Sequence, residues 1–257
     1  MNRINSLFAG NGRKRILSIY FTAGYPTLDS TLDIAEALEH AGADFLEIGF
    51  PYSDPVADGP VIQHSSEVAL RNGMTLSYLF EQLKDLRRRV SIPVLLMGYV
   101  NPVLQYGVER FCQSCRDAGV DGIIVPDLPM YEYEELYKPV FEANGLSNIF
   151  LVTPQTDEER IRKIDGLTTG FIYLLSSSST TGKNLSVSET TEAYFSRIKA
   201  MGLRNPVVVG FGISDHGAFV RATDYADGAI VGSAFVRLLG APDYPQRIPA
   251  FIKELKG

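Results

Sequence analysis

The stretch "HAGADFLEIGFPYSDPVADGP" (residues 40–60) decides the fold, because it joins the end of a helix to a strand and to the loop after it. Glycine near its start is typical of a helix end, since glycine readily adopts the left-handed backbone that stops a helix. The apolar run "DFLEIGF" then predicts a buried strand over 44–50. Two similar phrases, "DAGVDGIIVP" at 117–126 and "DYADGAIVGS" at 224–233, predict the same step from helix to strand.

Short apolar runs alternate with longer amphipathic segments along the chain, a pattern that predicts βαβ units and a parallel sheet. The predicted strands cover 16–21, 44–50, 93–99, 122–127, 148–153, 170–176, 206–212 and 228–234. The predicted helices cover 30–41, 78–89, 109–118, 132–143, 157–164, 190–201, 215–222 and 245–255, after a short N-terminal helix indicated by Ile4, Leu7 and Phe8. This alternation predicts a closed (β/α)8 TIM barrel, whose usual length of about 250 residues matches the chain. We therefore expect one domain over residues 1–257.

An open doubly wound sheet is the alternative architecture. Such a sheet usually has fewer strands, and its first βα turn carries a glycine fingerprint that "TAGYPTLDS" (22–30) lacks. In a barrel, functional residues lie at the carboxyl ends of the strands and in the loops just after them. The residues with candidate chemical roles occupy those positions in the predicted barrel.

The composition excludes several classes of protein. The chain has 257 residues, of which 45% are hydrophobic and 21% charged, so it is expected to form a buried core rather than a disordered chain. Its net charge of -6 and its lack of large basic clusters argue against nucleic-acid binding. No apolar run is long enough to cross a bilayer, and the start lacks the apolar stretch of a signal peptide. We expect a cytoplasmic protein.

Cys112 and Cys115 form the sequence "CQSC", whose spacing suits a redox pair or half of a zinc site. The motif lies in a segment that reads as a helix, and no second Cys or His pair in the sequence completes a metal site. We interpret the two residues as reduced cysteines of a helix and expect no metal.

Glu47 is a carboxylate within a predicted apolar strand. Side chains alternate along a strand, so Phe45, Glu47 and Gly49 share one face, and Leu46 and Ile48 share the other. The helix layer favours the aliphatic pair, so Glu47 is expected to point into the barrel. Burial there raises the pKa of a carboxyl group and suits it to acid–base catalysis. A structural carboxylate held by hydrogen bonds is the other interpretation.

Asp54 and Asp58 lie in the loop after that strand. Three prolines and Gly59 stiffen this loop and allow close approach of another group, which would help Asp58 meet a ligand at a fixed place. Asp and Pro are also ordinary turn residues, and we interpret Asp54 as a brace within the loop.

Glycine-rich turns follow the last two predicted strands. Gly210 and Gly212 end the seventh, and Gly232 and Ser233 end the eighth. The loops at these positions form a recurrent phosphate site of the barrel fold, because backbone N–H groups and a helix N-terminus favour an anion. Tight packing at the turns is the alternative. The polar stretch "YLLSSSSTTGKN" (173–184), after the sixth strand, predicts a lid over the site or a plain linker.

With these features, the sequence resembles the α subunit of tryptophan synthase over nearly its whole length. "EIGFPYSDPVADGP" (47–60) is similar to the family's signature around its acidic residues, and "FTAGYP" (21–26), "YVNP" (99–102), "GVDGIIVPDLP" (119–129) and "GFGIS" (210–214) match in order. This family cleaves indole-3-glycerol phosphate to indole and glyceraldehyde 3-phosphate, a retro-aldol reaction without metal or Schiff base. The resemblance implies a lyase of tryptophan biosynthesis.

The resemblance implies roles for individual residues. Glu47 matches the general acid–base residue, Asp58 the second catalytic carboxylate and Tyr173 the active-site tyrosine. The residues expected to contact substrate or its phosphate are Tyr20, Thr181, Gly182, Gly212, Gly232 and Ser233. Ser179 and Thr180 replace the glycine and valine common in the family's lid, a difference that concerns lid closure rather than reaction class.

The resemblance also implies a partner, the pyridoxal-phosphate-dependent β subunit of tryptophan synthase, in an α2β2 heterotetramer. The contacts are expected from loops around Pro55, Asn101 and Pro129. The cofactor is expected on the β subunit, and this chain is expected to hold none.

Two other function classes remain open from the residues alone. Another phosphate-binding barrel enzyme, such as an isomerase or decarboxylase, would share the fold and the phosphate loops. Such enzymes commonly use a lysine near a strand end, and the predicted strands contain no lysine. A non-catalytic barrel that binds a phosphate ligand and regulates a partner would have no need of Glu47, Asp58 and Tyr173.

Overall fold

The computed structural model describes residues 2–10, 15–175, 189–210 and 212–257. Within these ranges lie the strands β1 (Ile16–Thr22), β2 (Phe45–Gly49), β3 (Val94–Met97), β4 (Gly122–Ile124), β5 (Ser147–Ile149), β6 (Leu151–Val152), β7 (Ile172–Leu175), β8 (Val207–Gly210) and β9 (Gly228–Val231). All pairings between them are parallel, in the order β5-β4-β3-β2-β1-β9-β8-β7-β6.

The sheet closes because a single segment contributes both of its edges. β5 pairs with β4, and β6 pairs with β7, while only Phe150 separates the two strands. They are the two halves of the fifth predicted strand, so the observed nine strands occupy the eight predicted positions. The predicted (β/α)8 barrel is therefore confirmed.

The helices surround this barrel. They are α1 (Arg3–Ala9), α2 (Thr31–Ala41), α3 (Pro60–Arg71), α4 (Leu76–Leu83), α5 (Leu86–Arg89), α6 (Val100–Tyr106), α7 (Val108–Ala118), α8 (Met130–Glu132), a π-helix (Tyr133–Tyr137), α9 (Lys138–Ala143), α10 (Glu158–Leu167), α11 (Glu189–Ala200), α12 (His216–Thr223), α13 (Ser233–Leu239) and α14 (Tyr244–Lys256). Helices α3 and α6 were not predicted from the sequence, because their prolines look like loop residues. Proline is tolerated in the first turn of a helix, where its missing N–H has no partner to lose.

Two apolar layers form the core, one inside the barrel and one between the strands and the helices. Phe45 lies inside, whereas Leu46 and Ile48 pack in the outer layer. Helix α1 covers the end of the barrel where the strands begin, and its Phe8 ring lies 6.4 Å from Phe45 and 5.9 Å from Phe171. The carboxyl ends of the strands therefore form the mouth of the barrel.

The repeated helix-to-strand phrase has a structural role. Each copy carries an aspartate just before its strand, and that aspartate accepts a backbone N–H near the start of the neighbouring strand. The bonds join Asp44 to Leu17 (2.9 Å), Asp121 to Val94 (2.9 Å) and Asp227 to Val207 (2.8 Å). Since a buried amide without a partner is costly, these carboxylates stabilise the start of three strand pairs.

Candidate active site

Glu47 lies in the middle of β2 and points into the barrel, as its position in the strand predicts. Its side chain is completely buried. Ser18 Oγ donates a weak hydrogen bond of 3.5 Å to Glu47 Oε1, and Glu47 Oε2 has no hydrogen-bond partner among the described residues. A buried carboxyl oxygen without a partner is unusual and marks a place where a ligand could supply one.

Burial controls the ionisation of Glu47. It raises the pKa of this carboxyl from the usual 4.5 to about 8, against the opposing effect of the Ser18 hydroxyl. The side chain therefore carries a proton in most molecules at neutral pH. A carboxylic acid in this state can donate a proton to a substrate and take one back near physiological pH.

Asp58 occupies the loop between β2 and α3, directly before the N-cap residue Gly59. Gln63 holds the backbone there, because its side-chain amide donates to the carbonyl oxygen of Asp58 at 2.8 Å. The Asp58 side chain is half-buried, and burial raises its pKa, while a hydrogen bond with Tyr99 acts in the opposite direction. Asp54 lies exposed in the same loop and accepts a hydrogen bond from Ser53.

Two tyrosines lie near both of these carboxylates. Tyr20 lies on β1, opposite Glu47 in the register of the two strands, and Tyr173 lies on β7. Burial raises the pKa of both phenols, and the negative charges of Glu47 and Asp58 raise both further. Both carboxylates thus act on the same two phenols, and the structure brings all four predicted residues together at one barrel mouth.

Glycines make room for both rings. A Cβ atom at Gly49 would lie 2.2 Å from the Tyr20 hydroxyl, and one at Gly210 would lie 2.1 Å from the Tyr173 hydroxyl. Side-chain atoms do not approach this closely, so both positions require glycine for the tyrosines to lie across the strand ends. The shape of the site thus depends on residues that carry no functional group.

The predicted phosphate residues lie at the ends of the last two strands. Gly232 is the N-cap of α13 and Ser233 is its first residue, and a Cβ atom at Gly232 would lie 3.6 Å from Tyr20 Cβ. Gly212 follows β8 with a φ of 76°, in the left-handed region that favours glycine. Thr181 and Gly182 lie outside the described residues, as does most of the predicted lid.

The loops predicted to contact a partner share exposed apolar side chains. Asn101 and Pro129 are exposed, and Pro55 is half-buried. Beside these positions lie Val56, which is 83% exposed, Leu104 (47%) and Tyr131 (60%). Large exposed apolar side chains grouped on one face are typical of an interaction surface.

Tyr99 is a site residue that was not among those predicted from the sequence. It is buried at the N-terminus of α6, and its hydroxyl accepts the backbone N–H of Ala57 at 3.0 Å. Its ring lies 5.4 Å from that of Tyr52. The signal available in the sequence was its place at the end of a predicted strand, where barrel enzymes collect functional side chains.

Cys112 and Cys115 lie buried in α7 as unpaired thiols, as expected of cysteines in a helix. Across the described ranges, no group of three or more His, Cys, Asp and Glu residues is arranged to hold a metal ion. In the same ranges, no helix combines the length and apolarity needed to span a bilayer.

Comparison with known proteins gives a consistent result. The sequence profile of the family "Tryptophan synthase alpha chain" matches residues 9–253. The tryptophan synthase alpha chain of Christiangramia forsetii is 53% identical over 256 residues, which cover 100% of this chain and 99% of the relative. Two solved structures are also similar. The alpha subunit of Legionella pneumophila has a TM-score of 0.90 and 34% identity, covering 100% of this chain and 97% of that one.

A chain from the tryptophan synthase α2β2 complex of Pyrococcus furiosus has a TM-score of 0.86 and 37% identity, covering 95% of this chain and 98% of that one. The profile and the relatives agree over nearly the whole length of the chain, and the solved structures share its barrel. The chain belongs to the tryptophan synthase alpha chain family.

Proposed function

We propose that this lyase of tryptophan biosynthesis cleaves indole-3-glycerol phosphate with Glu47 as the proton carrier and Asp58 as the second catalytic carboxylate. The observation that supports these roles is the state of Glu47, a fully buried carboxyl with an unpartnered oxygen and a pKa raised to about 8. A group in this state is suited to moving protons rather than to holding the fold together.

Two proton movements accomplish the cleavage. Protonated Glu47 delivers its proton to C3 of the indole ring, which weakens the bond between C3 and the glycerol chain. The same carboxyl group then takes the proton from the glycerol hydroxyl that becomes the aldehyde, and the bonding electrons return to the ring. Glu47 is protonated again at the end, so the cycle consumes no external acid or base.

Asp58 acts at the nitrogen of the indole ring. Protonation of C3 places a positive charge on the ring, which spreads to the indole nitrogen. A nearby carboxylate accepts the N–H and stabilises this charge more strongly in the transition state than in the bound substrate. This role requires the ionised form of Asp58, which the hydrogen bond with Tyr99 favours.

The phosphate group of the substrate is proposed to orient the rest of the molecule. Backbone N–H groups around Gly212, Gly232 and Ser233 are suited to an anion, and Thr181 and Gly182 are proposed to complete the phosphate site. Binding energy from the phosphate fixes the distant ring against Glu47, which lowers the entropic cost of reaching the transition state.

Release of indole from indole-3-glycerol phosphate tests the proposal. We expect Glu47→Gln to lose roughly 10²–10⁴-fold in kcat, the usual contribution of acid–base catalysis. Glu67→Gln is the matched control, since Glu67 lies exposed on α3. Retention of near-full turnover by Glu47→Gln would remove Glu47 from the mechanism, and absence of indole from the wild-type chain, even with the β subunit present, would reject the activity.

We further propose that the chain works with a β subunit in an α2β2 heterotetramer, through the surface around Pro55, Asn101 and Pro129. The exposed Val56, Leu104 and Tyr131 support this surface. Pyridoxal phosphate belongs to the β subunit, and the cytoplasm remains the expected location. Size measurement of a mixture with the β subunit tests the assembly, and replacement of Val56 by aspartate should weaken it.

A further inference from the structure

We propose that Tyr99 is a positioning residue that holds the Asp58 carboxylate, in its ionised form, through the phenolic hydroxyl. The inference rests on the proposed function in one respect, the role of Asp58 in catalysis. Tyr99 belongs to the corner between β3 and α6, whereas Asp58 belongs to the loop between β2 and α3. The hydroxyl of Tyr99 thus joins two neighbouring loops of the barrel mouth.

The direction of the hydrogen bond follows from the second partner of the hydroxyl. The backbone N–H of Ala57 donates to Tyr99 Oη at 3.0 Å, and an amide nitrogen can only donate. The hydroxyl oxygen therefore acts as an acceptor towards Ala57. Its single hydrogen is left for the Asp58 carboxylate, with which it is hydrogen-bonded. A hydroxyl that donates to a carboxylate favours the charged form.

The ring of Tyr99 is held in a fixed orientation. Only 5% of the residue is exposed, and its ring packs against Tyr52 at a distance of 5.4 Å between ring centres. The Tyr52 hydroxyl in turn accepts a hydrogen bond of 3.2 Å from Asn101 Nδ2. Tyr52, Ala57 and Asp58 belong to one loop, so the Tyr99 ring and its hydroxyl are both held by the loop that carries the carboxylate.

The other titratable groups near Asp58 do not replace this contact. Glu47 on β2 is mostly neutral at pH 7, and the phenols of Tyr20 on β1 and Tyr173 on β7 have raised pKa values. Burial of Asp58 favours its neutral form, and the hydrogen bond from Tyr99 opposes that effect. Loss of the hydroxyl should therefore shift Asp58 towards the protonated form.

Titration of Asp58 in Tyr99→Phe tests the proposal directly. Aspartate labelled with ¹³C at the side-chain carboxyl reports the midpoint by NMR, and the Asp58 signal is assigned by its absence in Asp58→Asn. We expect Tyr99→Phe to raise the midpoint by about one to two pH units, the size of a lost hydrogen bond to a charged group. Tyr106→Phe is the matched control, since it removes a part-buried phenol hydroxyl of α6 that contacts Ser114 Oγ of α7 at 3.3 Å.

A merely structural role for Tyr99 makes the opposite prediction. If the hydroxyl only supported the loop, its loss would open Asp58 to solvent and lower the midpoint. A midpoint that stays constant or falls in Tyr99→Phe overturns the proposal, whatever the activity.

Kinetics give a second test. We expect the acidic limb of the kcat/KM profile to shift to higher pH in Tyr99→Phe. In an Asp58→Asn background, we expect Tyr99→Phe to cause no further loss of rate. Full additivity of the two losses would contradict action through Asp58. If the wild-type chain released no indole, the proposed function would fail, while the NMR midpoint would still decide the contact between Tyr99 and Asp58.

Discussion

Replacement of Glu47 by glutamine should change how the stability of the fold depends on pH. In the native state burial raises the pKa of Glu47 to about 8, whereas the unfolded chain returns it to the usual 4.5. Between these values the native state binds one more proton than the unfolded state, so stability falls as the pH rises. The contribution is complete below pH 4.5 and is lost as the pH passes the native pKa.

The magnitude follows from the two pKa values. A difference between 4.5 and about 8 corresponds to roughly 5 kcal/mol of unfolding free energy, of which about 3 kcal/mol should be visible between pH 5.5 and 9. Glutamine resembles the protonated carboxyl in shape and does not ionise. Glu47→Gln should therefore match the wild type below about pH 4.5, exceed it by about 1.4 kcal/mol at pH 5.5, and exceed it progressively more at higher pH.

Urea unfolding followed by circular dichroism, repeated across this pH range, measures the difference. The exposed Glu67→Gln variant serves as the reference and should follow the wild type throughout. Parallel stability curves for the wild type and Glu47→Gln would refute the reasoning, because they would mean that the native barrel does not oppose ionisation at position 47.

Further predictions concern the pH profile of the enzyme, the glycine that faces Tyr173 and the buried ion pair of Asp121. The kcat/KM of the wild type should fall above about pH 8, where Glu47 loses its proton, as steady-state assays of indole release across pH would show. Gly210→Ala should displace the facing tyrosine and lower kcat by roughly tenfold or more, whereas Gly166→Ala, with open space around its Cβ position, should not; equal rates would contradict the proposed packing. Asp121→Asn should reduce the unfolding free energy by about 3–5 kcal/mol, because it breaks a buried ion pair with an arginine at 2.6 Å, while Asp85→Asn at an exposed pair should cost at most about 1 kcal/mol in urea unfolding.

The sequence was most informative where a simple period governs the structure. Alternation along a strand correctly placed Glu47 inside the barrel, because a change of face by one residue would take Leu46 and Ile48 out of the apolar layer beneath the helices. The order of strands and helices likewise predicted the barrel. The interruption at Phe150 was not predictable, since it depends on how one segment meets two different neighbours.

Contacts between distant segments were the part that the sequence did not reveal. Pro60 suggested a loop, although it begins α3, because a proline in a first turn and a proline in a loop look alike in sequence. Tyr99 begins the phrase "YVNP", but this phrase gives it no role, and its importance appears only when Ala57 and Asp58 are seen beside it. The roles assigned to Glu47, Asp58 and Tyr173, and the phosphate role of Gly182, stay predictions.

The aspartate that precedes β2 has a consequence for the orientation of Glu47, in the middle of that strand. The Asp44 carboxylate accepts a hydrogen bond from the backbone N–H of Leu17 on β1, and it also pairs with Lys256 at 2.9 Å. A shift of β2 by one residue against β1 would break this hydrogen bond and turn the Glu47 side chain out towards the helices. Asp44, three residues before Glu47 and at the end of the barrel where the strands begin, thus helps to hold the register that points Glu47 inwards, so a mutation at Asp44 is expected to disturb the proposed active site without touching it.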